Sequence, residues 1–281
     1  MDELPEINIE TLIDQYEVLL LDAYGVLVHS SGILAGAVEL IAKLNRTPKP
    51  YYILTNDASR LPTTAAAQFQ SMGLAIEADR IITSGALLEA YFAKNRLIGS
   101  RCVVLGPEDS VRYVESAGGV VVCPQETFDV LVIGDESGFS FLDTVDTVLT
   151  GLIRKLDHDE NVHLVLPNPD LIYPKSDRGF GITGGCIALI LEAALHQRYP
   201  GRSNLHFDRL GKPHAVIFKE ALRRSGTRNM VMIGDQLATD IRGAHGFGID
   251  SVLVGSGITH AAAITIDDHL LPTYVMQSIM L

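Results

Sequence analysis

Short runs of consecutive apolar residues recur along the chain, separated by segments with helical periodicity. The runs are mostly β-branched and continuous, which is typical of strands buried on both faces of a parallel sheet. We predict strands at 18–21, 51–54, 81–82, 102–105, 130–133, 163–166, 230–233 and 251–254. Because helical segments lie between the strands, the pattern predicts a layered α/β fold.

The helical segments are predicted from the spacing of their apolar residues. Three of them are 36–44, 63–72 and 214–224. In the last, Ile217 and Ala221 are four residues apart and share one apolar stripe. A fourth segment, 186–195, is almost wholly apolar and predicts a buried helix at a contact within the protein or between subunits.

Composition narrows the class of protein. The 281 residues are 47% hydrophobic and 20% charged, as in a globular protein, and suffice for one large domain or two modest ones. No basic tract offsets the formal net charge of -12, which disfavours nucleic acid and anionic membranes as partners. The first residues lack a signal-peptide pattern, no apolar run has the length of a membrane span, and the three cysteines lie far apart. We therefore expect a cytoplasmic protein with reduced thiols.

Polar residues follow two early strands at their carboxyl ends, where open α/β sheets place their ligands. In Leu-Leu-Leu-Asp-Ala-Tyr-Gly-Val-Leu at 19–27, Asp22 follows a strand and precedes a glycine turn, so it can act as a nucleophile or a metal ligand. In Ile-Leu-Thr-Asn-Asp at 53–57, the hydroxyl of Thr55 and nearby N–H groups can bind phosphate oxygens. Each motif alone is also compatible with an ordinary turn.

Two later segments add acidic and basic groups. In Met-Ile-Gly-Asp-Gln-Leu-Ala-Thr-Asp at 232–240, Asp235 and Asp240 share a loop, and their charges repel unless a cation is shared. Oxygen ligands favour a hard ion such as Mg²⁺, although a pair of solvated aspartates is the alternative. In Gly-Lys-Pro at 211–213, Lys212 can neutralise a phosphate or the attacking carboxylate. A nucleophile, a metal and groups that hold oxygens are the parts that phosphoryl transfer needs.

These four ordered elements resemble the motifs of the haloacid dehalogenase (HAD) superfamily, and their layout resembles its subfamily IIA, the NagD-like phosphatases. The resemblance implies a Rossmann-like parallel-sheet core with an inserted α/β cap of the C2 type. We place the core at 1–84 and 186–281 and the cap at 85–185. Glycine-rich Gly-Phe-Gly-Ile-Thr-Gly-Gly-Cys at 179–186 is similar to the family's return to the core. The resemblance also weakly favours a homodimer formed through the cap.

The resemblance implies a role for each motif residue. Asp22 would form an aspartyl-phosphate, and its carboxylate, the carboxylate of Asp235 and the backbone carbonyl of Tyr24 would bind Mg²⁺, with Asp240 orienting the site. Thr55 and Lys212 would be catalytic residues together with Asp22, and they would hold the phosphoryl oxygens. N–H groups near Tyr24, Gly25 and Asn56 would bind the same oxygens. The cap loop that faces the substrate would contribute Asn168 and Asp170. The second Gly-Asp sequence, at 134–135, falls in the cap, and we expect no metal role for Asp135.

The first motif departs from the family pattern at Tyr24. Phosphatases of the superfamily normally carry a second aspartate there, which protonates the leaving group and later activates water. Three functions follow. The protein is a Mg²⁺-dependent phosphatase of a small phosphomonoester, such as a sugar phosphate or nucleotide, but slower or restricted to good leaving groups. Alternatively, it binds a phosphorylated ligand without turnover, or it resembles the 2-haloacid dehalogenases, whose first motif is similar to Asp-Ala-Tyr-Gly. His29 is a candidate replacement for the missing group, and Arg178 is a candidate contact for a substrate anion, although surface positions are the simpler interpretation of both.

Overall fold

A computed structural model describes residues 4–176, 179–255 and 271–281 of the chain. Its strands in these ranges are β1 (Val18–Leu21), β2 (Val28–His29), β3 (Gly32–Ile33), β4 (Tyr51–Thr55), β5 (Ile81–Thr83), β6 (Arg101–Leu105), β7 (Val120–Val121), β8 (Val130–Ile133), β9 (His163–Leu166), β10 (Ile172–Ser176), β11 (Gly179–Ile182), β12 (Asp208–Arg209), β13 (Met230–Gly234), β14 (Asp250–Val254) and β15 (Tyr274–Met276). Its α-helices there are α1 (Ile9–Gln15), α2 (Ala37–Arg46), α3 (Pro62–Ser71), α4 (Leu87–Asn95), α5 (Glu108–Ser116), α6 (Phe141–Asp157), α7 (Gly184–Arg198), α8 (Ala215–Ser225) and α9 (Arg242–Phe247). A 3₁₀ turn at Ala78–Arg80 and a π-helical turn at Leu237–Ile241 complete the regular structure of the described ranges.

The first sheet carries the motifs that follow β1, β4 and β13. Its order is β15-β14-β13-β1-β4-β5, and every neighbouring pair is parallel. Strand β1 is central, with Leu21 in register with Ile233 on one side and Ile53 on the other. Parallel strands in register end together, so the residues after β1, β4 and β13 meet at one edge of the sheet.

Helices cover both faces of this sheet because its strands are apolar on both faces. Within β1, Leu19 and Leu21 pack into one hydrophobic cluster, while Val18 and Leu20 pack into another. Successive side chains of a strand point to opposite faces, which explains this alternation. The first cluster includes residues of α1, α2 and α3, and the second includes residues of α4, α8 and α9. The predicted α/β fold with a Rossmann-like parallel sheet is confirmed.

A second parallel sheet, of order β12-β9-β8-β6-β7, lies between the two halves of the first in the chain. One of its faces packs with α6 and α7 in a third hydrophobic cluster. Its other face shares the second cluster with the first sheet, since Cys102 and Val132 belong to the same cluster as Leu20 and Phe218. The two sheets are therefore joined by continuous apolar packing.

The segment from β6 to β12 forms the second unit, and the parts of the chain that carry the first sheet form the first unit. Helix α5 of the second unit is bonded to the loop that follows β4. The Leu61 N–H donates to Asp109 Oδ2 at 3.0 Å, Ser110 Oγ donates to the Ala58 carbonyl at 2.7 Å, and Tyr113 Oη donates to the Arg60 carbonyl at 2.6 Å. These three hydrogen bonds fix residues 58–61, which begin two positions after Asn56.

The chain returns to the first sheet only after β12, late in the sequence. Helix α7 packs on the second sheet, and β12 pairs with β9 through Asp208 and Arg209. The predicted boundary at residue 186 stays a prediction, but this pairing favours a boundary after Arg209.

Helix α7 corresponds to the predicted apolar helix at 186–195. Its inner face is buried, whereas Leu189 and Ile190 are exposed by 44% and 47%. The predicted homodimer stays a prediction. Among the helices of the described ranges, none is both long and apolar enough to cross a bilayer.

Candidate active site

Residues from each of the four motifs line a cavity of about 520 Å³ between the two sheets. Asp22 follows β1, Thr55 ends β4, and Lys212 lies three residues after β12. All three line the cavity, together with Tyr24 and Asn56. Side chains from the second unit line its other side, including the predicted cap residues Asn168 and Asp170.

Lys212 bridges two aspartates at the centre of the site. Its ammonium donates to Asp22 Oδ1 and to Asp240 Oδ1, each at 2.7 Å, and all three side chains are almost completely buried. Asp22 Oδ1 also accepts the Ala23 N–H at 2.8 Å. Within the described chain no hydrogen bond reaches the other oxygen of this carboxylate, Oδ2, which leaves it available to a ligand.

The charges of this group are strongly coupled. Burial, opposed by Lys212 and reinforced by Asp240 and Asp235, raises the pKa of Asp22 well above its usual value. Burial favours the neutral amine of Lys212, but the attraction of Asp22 and Asp240 outweighs it, and the pKa of Lys212 is raised. We therefore assign the protonated form to Lys212. Its single positive charge lies next to the carboxylates of the cluster.

Asp235 completes a cluster suited to a cation. Ligand oxygens of Asp22, Asp235 and Asp240 lie within 4.8 Å of one another, and all three residues are buried. The backbone of Gly25, with φ of 82°, lies so close to Asp235 that a Cβ there would be 2.2 Å from Asp235 Oδ2. Gly25 thus permits the approach of the first motif to Asp235. The all-oxygen donors and the excess of negative charge fit Mg²⁺.

Asp240 differs from the other two carboxylates in its hydrogen bonding. Its Oδ1 accepts from Lys212, and its Oδ2 accepts the Gln236 N–H at 3.1 Å. Both oxygens are therefore engaged by the protein, which fits a residue that orients Lys212 better than a direct metal ligand.

The second motif contributes a hydroxyl and an amide with different roles. Thr55 Oγ1 accepts the Asp57 N–H at 3.2 Å, which leaves its own hydrogen for a ligand in the cavity. Asn56 Oδ1 accepts the backbone N–H of Lys212 at 2.7 Å, and Asn56 Nδ2 donates to the Lys212 carbonyl at 3.0 Å and to Asp170 Oδ1 at 2.8 Å. The Asn56 side chain is thus fully used in holding the protein together.

The N–H of Gly25, which we predicted to bind phosphate, donates to the Val28 carbonyl at 2.8 Å in this structure. Tyr24 lines the cavity with a side chain that is 43% exposed. Position 24 therefore faces the space that a substrate would occupy, but it presents a phenol where a carboxylate is usual in the family.

The cavity is also lined by charged residues to which the sequence analysis gave no role in the site. Arg60 pairs with Asp57 at 2.9 Å, and Asp135 and Glu136 of the second unit lie nearby. Burial, with repulsion from Asp135 and Asp57, raises the pKa of Glu136. Their positions in loops after β4 and β8 are the only sequence signal that marks them, because carboxyl ends of strands collect polar groups.

Only one of the two candidates outside the motifs lies among the described residues, and it does not line the cavity. His29 lies in the β2–β3 hairpin, where Nδ1 is 3.1 Å from Ser30 Oγ, and it is absent from the described residues that line the cavity. Arg178 lies outside the described residues.

Comparison with known families accounts for this arrangement. A family described as haloacid dehalogenase-like hydrolase matches residues 19–119, and a second HAD-hydrolase-like family matches residues 209–280. The chain belongs to the haloacid dehalogenase-like hydrolases. The first match includes Asp22 and Thr55, and the second includes Lys212, Asp235 and Asp240.

Relatives and solved structures resemble the chain over nearly its full length. A dihydroxyacetone phosphatase of Corynebacterium glutamicum is 28% identical over 262 residues, which are 92% of this chain and 88% of the relative. An acid sugar phosphatase of Staphylococcus saprophyticus is 25% identical, with 94% and 95% covered. The structure of a "possible sugar phosphatase, HAD superfamily" from Cytophaga hutchinsonii is 28% identical, with a TM-score of 0.85 and 99% of each chain covered. The predicted membership of the NagD-like HAD phosphatases is confirmed.

Proposed function

We propose that the protein hydrolyses a small phosphomonoester through attack by Asp22 on phosphorus. The observation that carries this proposal is the position of Asp22, buried at the end of β1, bonded to Lys212 and adjacent to Asp235. The enzyme class, a phosphomonoester hydrolase, is as predicted, since the chain belongs to a hydrolase family and its relatives are phosphatases.

The reaction has two steps on this chain. A carboxylate oxygen of Asp22 forms a bond to phosphorus while the ester P–O bond breaks, and the leaving oxygen takes a proton from water to give the alcohol. Water then attacks the phosphorus of the aspartyl-phosphate, which releases inorganic phosphate and restores the carboxylate. Because Asp22 Oδ1 is occupied by two donors, Oδ2 is the oxygen that we assign to the attack.

Lys212 and Thr55 are placed to stabilise the phosphoryl group. The Lys212 ammonium is buried and charged, so its attraction for phosphoryl oxygens is little weakened by solvent. The Thr55 hydroxyl can donate to the same group. The protein also uses Lys212 to hold Asp22 in position before substrate binds.

Mg²⁺ fits the cluster next to this lysine. Asp22, Asp235 and the backbone carbonyl of Tyr24 would hold it, and Asp240 would orient the site through Lys212. When bound, the ion would neutralise phosphoryl oxygens and favour the charged form of the carboxylates. A solved glycerol phosphate phosphatase of Mycobacterium tuberculosis in complex with magnesium shares the fold, with a TM-score of 0.81 and 23% identity.

The substrate that we propose is a sugar phosphate or a nucleotide. The relatives include a dihydroxyacetone phosphatase, acid sugar phosphatases and a 5'-nucleotidase of Bacillus subtilis. The leaving groups that these names imply, dihydroxyacetone, a sugar and a nucleoside, all carry hydroxyl groups. The cavity supports this class through its hydrogen-bonding residues Ser59, Ser137 and Asn168.

Tyr24 favours one alternative, the binding of a phosphorylated ligand without turnover. Position 24 carries a phenol in place of the carboxylate that is usual in the family, so release of a poor leaving group has no obvious acid there. The dehalogenase alternative has less support, because displacement of halide from carbon has no use for the Asp235–Asp240 cluster.

A phosphate-release assay tests the proposal. Native protein and Asp22→Asn are incubated with p-nitrophenyl phosphate, dihydroxyacetone phosphate, sugar phosphates and nucleoside monophosphates, with Mg²⁺ and with EDTA. We expect release by the native protein with Mg²⁺ only, and a loss of at least about 10³-fold in the variant. Folded native protein that binds Mg²⁺ and releases no phosphate would favour the binding protein, and chloride release from 2-chloropropionate would favour the dehalogenase.

A further inference from the structure

Asp170 of the second unit is bonded to the phosphate-binding side of the first. It lies four residues after β9, and its Oδ1 accepts the Asn56 Nδ2 hydrogen at 2.8 Å across 114 residues of chain. Asp170 is itself fixed in place. Its N–H donates to Asn168 Oδ1 at 3.0 Å, and its carbonyl accepts from Thr183 Oγ1 and from the Gly185 N–H.

The partner of Asp170 holds the backbone of Lys212 on both sides. Asn56 Oδ1 accepts the Lys212 N–H and Asn56 Nδ2 donates to the Lys212 carbonyl, at 2.7 and 3.0 Å. The fit is close, because a Cβ on Gly211 would lie 2.4 Å from Asn56 Oδ1 and 2.7 Å from the Pro167 carbonyl. Asn56 thus fixes the backbone position from which the Lys212 side chain extends to Asp22.

A carboxylate decides the orientation of such an amide. The two ends of an asparagine amide are similar in shape, but one donates and the other accepts hydrogen bonds. An ionised carboxylate only accepts, so Asp170 requires that Nδ2 faces it. Oδ1 is then directed to the Lys212 N–H. If the amide turned over, Nδ2 would face the Lys212 N–H and both hydrogen bonds to the Lys212 backbone would be lost.

We propose that Asp170 is a positioning residue for phosphate binding, which acts through Asn56 on Lys212. The inference rests on the proposed function, since it concerns the group that Lys212 binds. It differs from the family-based expectation for Asp170, which is contact with the substrate. The Asp170 carboxylate would instead contribute equally to the binding of every substrate, because all of them carry the phosphoryl group.

The two roles predict different effects of Asp170→Ala. A residue that contacts the leaving group affects substrates unequally. A residue that positions Lys212 lowers kcat/KM by the same factor, roughly 10- to 100-fold, for p-nitrophenyl phosphate, dihydroxyacetone phosphate and a nucleoside monophosphate. Asp170→Asn keeps an acceptor for Asn56 and should recover part of the loss. Asp143→Asn, an exposed aspartate in the first turn of α6, is the control and should match the native protein.

A double-mutant cycle separates positioning from a general loss of structure. If Asp170 acts through Asn56, Asp170→Ala should cost little more in kcat/KM when Asn56→Ala is already present. Additive losses would overturn the proposal, as would a loss confined to one leaving group. A variant that fails to fold is excluded by circular dichroism, and Asp170→Asn then supplies the comparison.

Binding of inorganic phosphate keeps the test independent of turnover. Titration of the native protein and the Asp170 variants with inorganic phosphate in the presence of Mg²⁺ gives the affinity for the shared group. We expect the affinity to fall in Asp170→Ala by a factor similar to that in kcat/KM, and unchanged affinity would overturn the inference. A native protein without phosphatase activity would contradict the proposed function, whereas this binding result would still decide the role of Asp170.

Discussion

Lys212 Nζ lies 2.7 Å from Asp22 Oδ1, although 190 residues separate the two in the chain. The same ammonium lies 2.7 Å from Asp240, and the three side chains are buried together. A buried carboxylate needs a partner, because removal from water strongly disfavours its charge. Lys212 therefore has two functions before any substrate arrives: it keeps Asp22 in place, and it keeps a positive charge at the phosphate side of the site.

Replacement of this lysine should cost stability. In Lys212→Met, Asp22 and Asp240 lose their buried cation, and we expect the free energy of unfolding to fall by about 3–5 kcal/mol in EDTA. Added Mg²⁺ should restore part of the loss. Urea unfolding measures both effects. The control is Lys43→Met, which removes an exposed pair with Glu10 and should leave the free energy of unfolding nearly unchanged. Equal losses in the two variants would contradict a structural role for the Lys212 charge.

The two Gly-Asp sequences provide a matched pair for the metal site. Asp235 belongs to the buried cluster, whereas Asp135 lines the other side of the cavity and bonds to Ser137. We expect Asp235→Asn to raise the Mg²⁺ concentration needed for half-maximal activity by roughly 10- to 100-fold or more, and Asp135→Asn to leave it unchanged. The measurement is phosphate release against Mg²⁺ concentration. A shift of the same size in Asp135→Asn would mean that the ion binds elsewhere.

Tyr24→Asp should reveal the effect of the missing carboxylate. A general acid contributes roughly 10²–10⁴-fold to such reactions, mainly when the leaving group is a strong base. We therefore expect a larger gain in kcat with glycerol phosphate than with p-nitrophenyl phosphate, whose phenolate leaves without help. Because Tyr24 is 43% exposed, the smaller side chain should fold without difficulty. A loss of activity with both substrates would show that the phenol itself takes part in the reaction.

Asp170 should make stability depend on pH. Burial, opposed by Lys212 and Asn56 and reinforced by Asp240, raises the pKa of Asp170 from its usual 3.8 to about 6. Ionisation of Asp170 therefore lowers the free energy of unfolding. The stabilisation that the neutral carboxyl contributes is complete below about pH 4 and is lost as the pH rises through about 6. Asp170→Asn does not ionise, so its melting temperature relative to the native protein should rise between pH 4 and pH 7. A constant difference across this range would contradict the raised pKa.

The strands were predictable because each is a continuous apolar run. All eight predicted strands are present, and the four predicted helices correspond to α2, α3, α7 and α8. Short strands such as β7 and β12, of two residues each, carry too little pattern to be predicted. The pairing was not predictable either. Strands of both sheets are equally apolar, so the local pattern does not show that β6, β8 and β9 form a second sheet.

The candidate site was predictable where short motifs mark it. Asp22 and Asp235 each follow an apolar strand, and the structure places them together in one cluster. Arg60 and Glu136 line the same cavity, but they are charged loop residues with no distinguishing neighbours. The bonds of Asn56 to Lys212 and Asp170 were also beyond prediction, since they join residues more than a hundred positions apart.

Hydrogen bonds join helix α5 to residues 58–61 through Asp109, which accepts, and through Ser110 and Tyr113, which donate, and they limit how this enzyme can be re-engineered. A chimaera that exchanges the inserted unit for that of a relative would also remove the supports of the loop that carries Arg60. Exchange of substrate preference between members of the family therefore requires that residues 58–61 and helix α5 are transferred together. The smallest transferable module contains parts of both units.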